Sequence, residues 1–373
     1  MKLKFETQKI TYKDSFKLSS GREIDACEIA FQTYGQLNKE KSNAIMICHA
    51  LTGDQFCSGI NPLTKKKGWW DILIGPGKII DTNIFFVICS NVLGGCMGST
   101  GPSTVNPKTG KPYGLNFPVI TISDMVNLQA RLIGSLGIKK LFAVIGGSMG
   151  GMQTLEWASR FEKKVNAVIP IACSFRHSAQ NIAFHEIGRQ AIMADTSWKS
   201  GNYYGSKQKP KRGLAVARMI AHITYLSESA LQRKFGRNLQ NSKNFSFNFI
   251  TDFQIESYLK HQGSSFVERF DSNSYLYITK AMDYFDLSSR KGGLTNVFKN
   301  NNLSFCFFTF TSDWLFPTSE TKMIIKSLNT SNAKVSFVEV KSDKGHDAFL
   351  LDEPEFHEIL GGFIEGQIIK QGI

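Results

Sequence analysis

Three residues that lie far apart in the chain are of the types that together perform nucleophilic catalysis: Ser148, Asp313 and His346. A histidine can take the proton of a serine hydroxyl, while a carboxylate fixes the histidine tautomer and stabilises the imidazolium that forms. Ser148 stands in the run GGSMGG (146–151), which contains the pattern Gly-x-Ser-x-Gly. This pattern predicts a strained turn from a strand to a helix that exposes the serine as a nucleophile for acyl chemistry.

The segments around these residues predict how they are positioned. An apolar strand over 141–145 leads into the serine turn, and a helix over 152–160 follows it. Asp313 follows a predicted strand over 303–310, and His346 lies in the loop after a strand over 335–340. The chain order Ser, Asp, His, with both partners beyond the carboxyl ends of strands, is typical of the α/β-hydrolase fold. We therefore predict a mostly parallel central sheet with helices on both faces and an inserted helical lid.

An oxyanion hole is predicted from two backbone N–H groups. One belongs to Met149, directly after the nucleophile, and the other to Leu51, in the loop that follows a buried strand over 44–48. His49 lies in the same loop, and we interpret it as a hydrogen-bonded residue that shapes the loop. The catalytic base of this fold is expected near the C-terminus instead.

The distribution of strand and helix signals predicts the domain organisation. Strand patterns nearly vanish between residues 174 and 293, where helical patterns dominate. We predict an α/β-hydrolase core formed by residues 1–173 and 294–373, with residues 174–293 inserted as a helical lid. A lid implies a covered pocket and controlled access of water.

Composition restricts the classes of function. The formal charge is +13, but the basic residues are spread over the chain, which indicates a lysine-rich solvated surface and no nucleic-acid partner. No run of about 18 apolar residues predicts a membrane span, and residues 1–18 lack the apolar region of a signal peptide. The seven cysteines form no C-x-x-C pair, so we expect neither disulfides nor a metal site, and we expect a cytoplasmic protein.

Along nearly its whole length the chain resembles the homoserine O-acyltransferases of the α/β-hydrolase type. The segments that carry the resemblance are HALTG (49–53), the loop 94–102, GGSMGG (146–151), SAQNIAF (178–184), ARMI (217–220), IESYL (255–259), RFD (269–271), NSYL (273–276) and GHDAFL (345–350). The resemblance implies acyl transfer from an acyl-CoA co-substrate to the hydroxyl of L-homoserine in methionine biosynthesis. It also implies a homodimer without a bound cofactor, and an acyl-Ser148 intermediate with ping-pong kinetics.

The resemblance further implies how the substrates are recognised. Arg218 would bind the α-carboxylate of homoserine, and Asp347 would bind its α-amino group. From the residues alone, Arg218 would be a helix-surface ion pair and Asp347 a loop cap. Succinyl-using relatives resemble this chain but carry an arginine two residues after the catalytic aspartate, where this chain has Leu315. Leu315 therefore favours acetyl-CoA as the donor.

Several alternatives remain open at this point. A homoserine O-succinyltransferase or a serine O-acyltransferase would use the same catalytic residues, because one methylene discriminates weakly between acceptors. An esterase would use them with water as the acceptor and would not need Arg218. A non-catalytic binding module is disfavoured, because all three catalytic residue types are present.

Overall fold

The computed structural model describes residues 6–299 and 301–373. Its central sheet has eight strands, which in chain order are β1 (Gln8–Tyr12), β2 (Cys27–Tyr34), β3 (Ala44–Cys48), β4 (Phe86–Ser90), β5 (Leu141–Gly147), β6 (Val165–Ile171), β7 (Ser304–Phe310) and β8 (Lys334–Val340). They lie side by side in the order β1-β2-β4-β3-β5-β6-β7-β8. The β1–β2 and β2–β4 pairs are antiparallel and the other neighbours are parallel. The predicted mostly parallel sheet is confirmed.

Helices pack on both faces of this sheet. In chain order the α-helices of the described part of the chain are α1 (Ile122–Ser135), α2 (Met149–Arg160), α3 (Ala179–Ala194), α4 (Lys211–Tyr225), α5 (Glu228–Lys234), α6 (Gln254–Phe266), α7 (Ser272–Asp283), α8 (Gly293–Val297), α9 (Thr318–Leu328) and α10 (Pro354–Gln371). Successive side chains of a strand point to opposite faces. Accordingly Met46 of β3 belongs to a core that includes α1 and α2, while Ile45 and Ile47 belong to a second core that includes α10.

The strands beside the catalytic serine are formed by continuous apolar runs. Every residue of β3, β5 and β7 is buried, as expected for parallel strands covered on both faces. Helix α1 begins where Thr121 and Asp124 form a reciprocal capping box. Helix α2 begins at Met149, so the predicted start at residue 152 was three residues late.

Helices α3 to α7 lie between β6 and β7, within the segment 174–293. Helix α3 packs against α4, and α4 packs against α6. The division of the chain into a core and a lid stays a prediction, and α8 begins at the last residue of the predicted lid. Strand β1 and helices α5, α8, α9 and α10 were not among the predicted elements.

Three further observations bear on the sequence predictions. None of the helices in the described part of the chain has the length and apolar character that a membrane span requires. The first five residues of the N-terminal stretch, in which we predict no signal peptide, lie outside the described residues, as does Asn300. The segment 24–34, which the sequence pattern favours as one strand, is divided: Ile24 pairs with Phe16 in a separate short hairpin, and β2 begins at Cys27.

Candidate active site

The turn between β5 and α2 places Ser148 in a strained conformation. Its φ is 58° and its ψ is −122°, a region that residues with a side chain rarely adopt. The Ser148 N–H donates to the carbonyl of Ile171 at 2.9 Å, which holds the turn against β6. A Cβ at Gly146 would lie 2.6 Å from the Gly150 backbone, and one at Gly150 would lie 2.0 Å from the Cys48 carbonyl oxygen. The close approach of three backbone segments therefore requires both glycines.

Asp313 and His346 meet at the carboxyl ends of β7 and β8. The Nδ1–H of His346 donates to Asp313 Oδ2 at 2.8 Å, and both side chains are buried. The backbone N–H groups of Leu315 and Phe316 donate to the other carboxylate oxygen at 3.0 and 2.9 Å. Burial disfavours the imidazolium, but the charge and the hydrogen bond of Asp313 outweigh it and raise the pKa of His346. The arrangement leaves His346 Nε2 available as a base.

Ser148 and His346 line one cavity of about 70 Å³ at the end of the sheet, which we call the Arg218 cavity. Its other polar lining residues are Thr52, Arg218, Tyr225 and Asp347. The structure therefore brings the predicted nucleophile, the predicted base and both predicted substrate-binding residues to one space. Ser148 Oγ and His346, both among the described residues, are not joined by a hydrogen bond. Hydrogen bonds between a nucleophile and its base are often long before substrate binds.

The predicted oxyanion donors are free. Neither the N–H of Leu51 nor that of Met149 donates a hydrogen bond within the described part of the chain. The loop that carries Leu51 is held by a buried amide chain: Gln153 Nε2 donates to the His49 carbonyl at 3.1 Å, and Gln129 donates to Gln153 at 2.7 Å. Two unused donors beside a buried serine can stabilise a developing oxyanion.

His49 has the structural role predicted for it. The backbone N–H of Val92 donates to His49 Nε2 at 3.2 Å, and Nδ1 lies 2.8 Å from the carbonyl of Ala50. Burial lowers the pKa of His49 to about 4, so the ring is uncharged at neutral pH. Both ring nitrogens are occupied, and His49 joins the oxyanion loop to the loop after β4.

Arg218 on α4 has no carboxylate partner among the described residues. Its Nη1 donates to Thr52 Oγ1 at 3.2 Å, and its guanidinium lies 4.8 Å from the centre of the Phe266 ring. The buried Nε atom has no hydrogen-bond partner. A helix-surface ion pair is therefore excluded, and the unpaired guanidinium faces a cavity that also contains Asp347. Burial raises the pKa of Asp347, against the charges of His346 and Arg218, which lower it.

A second, smaller cavity of about 30 Å³ also borders Ser148. We call it the Leu315 cavity, and its lining includes Leu51, Ser148, His177, Phe184, Leu315 and Phe316. The carbonyl of Leu315 accepts a hydrogen bond from Asn181 Nδ2 of α3 at 3.0 Å. The structure thus places Leu315 beside the nucleophile but away from Arg218 and Asp347.

An outer groove of about 550 Å³ continues from the Arg218 cavity towards the surface. Ala50, Thr52 and Arg218 line both spaces, and Lys66 and Lys67 line the groove alone. The sequence predictions missed Thr52 and Tyr225. Thr52 directly follows a predicted oxyanion residue, and Tyr225 lies two helical turns after Arg218 on the same face of α4. The sequence positions of both residues could therefore have indicated that they line the site.

The strand order, the strained turn at Ser148 and the hydrogen-bonded pair of Asp313 and His346 define an α/β hydrolase. The family model for the "alpha/beta hydrolase fold" matches residues 43–353. The homoserine O-acetyltransferase of Rhodospirillum rubrum is 61% identical over 94% of this chain and 90% of its own length. That of Mesorhizobium japonicum is 60% identical over 96% and 92%. This chain belongs to the homoserine O-acetyltransferase family of α/β hydrolases.

Solved structures give the same family and one rival class. The crystal structure of homoserine O-acetyltransferase from Bacillus anthracis is 29% identical, with a TM-score of 0.88 over 96% of this chain and 97% of that chain. A crystal structure of esterase E22 is 30% identical, with a TM-score of 0.86 over 96% and 100%. The same scaffold therefore occurs in a protein described as an esterase.

Proposed function

We propose that this enzyme transfers an acetyl group from acetyl-CoA to the hydroxyl of L-homoserine, in methionine biosynthesis, with Ser148, Asp313 and His346 as the catalytic residues. The observation that carries the proposal is that Arg218, which has no carboxylate partner among the described residues, lines the same cavity as Asp347 and Ser148. A zwitterionic acceptor needs one cationic and one anionic anchor, and a guanidinium binds a planar carboxylate well. An esterase would not need this pair.

In the first half-reaction, His346 Nε2 takes the proton of Ser148 Oγ as that oxygen attacks the thioester carbonyl. The N–H groups of Leu51 and Met149 donate to the oxyanion of the tetrahedral intermediate. The carbon–sulfur bond breaks, CoA leaves as a thiol with the proton from His346, and the acyl group remains on Ser148. Asp313 keeps the proton on His346 Nδ1 throughout.

In the second half-reaction, the hydroxyl of homoserine attacks the acyl group on Ser148 after the CoA thiol has left. Arg218 binds the α-carboxylate and Asp347 binds the α-ammonium group, so the hydroxyl is directed at the ester of Ser148. His346 takes the hydroxyl proton, the new ester bond forms, the bond between the acyl carbon and Ser148 Oγ breaks, and the proton passes from His346 to Ser148 Oγ. Because CoA leaves before the acceptor reacts, ping-pong kinetics follow.

We place the CoA moiety in the outer groove. The groove joins the Arg218 cavity through Thr52 and Arg218, so a thioester at Ser148 can extend outwards along it. Lys66 and Lys67 lie along the groove and carry the charge that phosphate groups require. The Leu315 cavity also borders Ser148, is lined in part by Phe184, Leu315 and Phe316, and accommodates the acyl chain. The enzyme needs no bound cofactor for this chemistry.

We expect the substitution Leu315→Arg to raise the rate of Ser148 acylation by succinyl-CoA relative to acetyl-CoA by about tenfold or more. A cation at this position would pair with the free carboxylate of the succinyl group. The measurement is the initial rate of acyl-enzyme formation with each donor, followed by intact-protein mass spectrometry. Leu315→Met, which conserves volume and charge, is the control and is expected to leave the ratio unchanged. An unchanged ratio in Leu315→Arg would remove Leu315 from donor selection.

Esterase activity is the second candidate function, because esterase E22 has a similar structure and is 30% identical to this chain in sequence. Serine is the rival acceptor of the same class. One methylene in the acceptor is worth about 1–3 kcal/mol, so serine is expected to react roughly 10- to 200-fold more slowly than homoserine. The two questions, acceptor class and acceptor length, are answered by one experiment.

That experiment follows the intact protein by mass spectrometry after mixing with acetyl-CoA and then with homoserine, serine or buffer. We expect an acetyl adduct on Ser148 that homoserine discharges at least about a hundredfold faster than buffer, with serine in between. Peptide mapping identifies the modified residue. Discharge by buffer as fast as by homoserine would make the protein an esterase and leave Arg218 and Asp347 without a substrate role.

We also propose that the protein is a cytoplasmic homodimer. Its seven cysteines are free, and six of them are buried, which suits a reducing compartment. The dimer is proposed from the family resemblance alone, and light scattering of the purified protein tests it directly.

A further inference from the structure

His177 lines the Leu315 cavity and has a buried ring nitrogen without a hydrogen-bond partner. The residue precedes α3, is 6% exposed and lines this cavity together with Ser148. Its Nε2 atom makes no hydrogen bond within the described part of the chain. Buried polar atoms are nearly always hydrogen-bonded, so an unpartnered one in a cavity beside a nucleophile indicates a ligand-facing role.

The other side of the ring determines the chemical state of this nitrogen. His177 Nδ1 lies 3.1 Å from Asp283 Oδ1, and His185 Nδ1 lies 2.8 Å from the same oxygen. Arg189 donates to Asp283 Oδ2 at 2.6 Å. An ionised carboxylate only accepts hydrogen bonds, so the proton of His177 is on Nδ1 and Nε2 carries a lone pair. Burial lowers the pKa of His177 to about 4, which keeps the ring uncharged at neutral pH.

The cluster of His177, His185 and Asp283 also has the composition of a metal site, since one ligand atom of each lies within 4.8 Å of the others. Two observations favour hydrogen bonds instead. The nitrogen–oxygen distances of 2.8 and 3.1 Å are those of hydrogen bonds, and the positive guanidinium of Arg189 occupies the second carboxylate oxygen. The cluster therefore fixes a histidine tautomer.

The His177 ring is also held in position by packing. Its centre lies 5.7 Å from that of Phe316, which in turn lies 5.2 Å from the ring of His346. The ring that carries the lone pair is therefore held in a fixed position beside the cavity. The cavity of about 30 Å³ is small, which favours a short acyl group.

We propose that His177 restricts the acyl donor to short, uncharged groups by presenting a fixed lone pair, without a proton to donate, to the acyl group on Ser148. This inference rests on the proposed function and names a determinant of its donor class. A carboxylate at the far end of a succinyl group would face another acceptor and lose its hydration without a replacement hydrogen bond. The methyl group of an acetyl ester loses nothing at the same place.

Acylation of Ser148 in the absence of any acceptor tests the proposal. His177→Gln places an amide near the position of Nε2 that can donate an N–H to a carboxylate. We expect the ratio of succinyl-CoA to acetyl-CoA acylation rates to rise about tenfold or more. His177→Asn keeps a donor towards Asp283 and empties the space at Nε2, so acylation by butyryl-CoA is expected to rise several-fold relative to acetyl-CoA.

Arg189→Lys is the matched control, because Arg189 donates to the other oxygen of Asp283 and does not line the Leu315 cavity. Its donor ratio is expected to stay within twofold of the unmodified enzyme. An equal shift in Arg189→Lys, or an unchanged ratio in both His177 variants while acetylation proceeds, would overturn the inference and leave the proposed function intact. If His177→Gln does not fold, the butyryl-CoA ratio of His177→Asn decides. Failure of the unmodified enzyme to be acylated at Ser148 would instead overturn the proposed function.

Discussion

Replacing Ser148 with alanine is expected to abolish both the acetyl adduct and the transfer reaction, with a loss in kcat on the order of a million-fold. In the proposed mechanism the acyl group is bound to Ser148 Oγ. Among the described residues, the other hydroxyl groups that line the Arg218 cavity are those of Thr52 and Tyr225. The measurement combines intact mass after mixing with acetyl-CoA and the rate of thiol release in the presence of homoserine.

The alanine variant is a clean test because it keeps the backbone conformation. Serine and alanine both carry a Cβ, so the strain at a φ of 58° is the same and the melting temperature is expected to change little. Ser159→Ala on α2 is the control, since Ser159 is a partly buried serine outside both cavities. Transfer that persists in Ser148→Ala would show direct attack of homoserine on the thioester and rule out the covalent mechanism.

The placement of Ser148, Asp313 and His346 could be predicted because each of them follows a strand that the sequence pattern indicates. The wholly buried runs of β5 and β7 identify strands, and parallel strands bring their carboxyl ends to one edge of the sheet. The 2.8 Å hydrogen bond between His346 and Asp313 is consistent with that reasoning. Strand β1 was missed because it is short, largely exposed and at the sheet edge, where little burial pattern develops.

The cavity walls could not be predicted, because they depend on contacts between distant segments. His177 carries no periodic signal in the sequence, and its tautomer is set by Asp283, a residue 106 positions later. Arg218 was interpretable from the residues alone as a surface ion pair. Only the fold shows that it stacks on Phe266 and faces the nucleophile without a carboxylate partner in the described chain. A charged side chain can bind a ligand only where the fold leaves it without an ion-pair partner. The sequence does not show which charged residues are left in this way.

Arg218→Ala is expected to separate the two half-reactions. Acylation of Ser148 by acetyl-CoA should proceed within about threefold of normal, while kcat/KM for homoserine should fall about 100- to 1000-fold, which corresponds to about 3–4 kcal/mol. The loss follows from removing the only proposed partner of the α-carboxylate and leaving that carboxylate unpaired in the Arg218 cavity. The two half-reactions are measured separately by the appearance and the discharge of the acetyl adduct.

The acceptor itself supplies the sharpest control for this role. Aminopropanol is homoserine without its carboxylate, so the normal enzyme should prefer homoserine strongly, and Arg218→Ala should lose most of that preference because the missing contact is the same in both cases. Arg212→Ala, at an exposed position on the same helix, is expected to change neither rate. An Arg218→Ala enzyme that slows acylation and discharge equally, or that still prefers homoserine by the normal factor, would mean that Arg218 supports the cavity and does not bind the carboxylate.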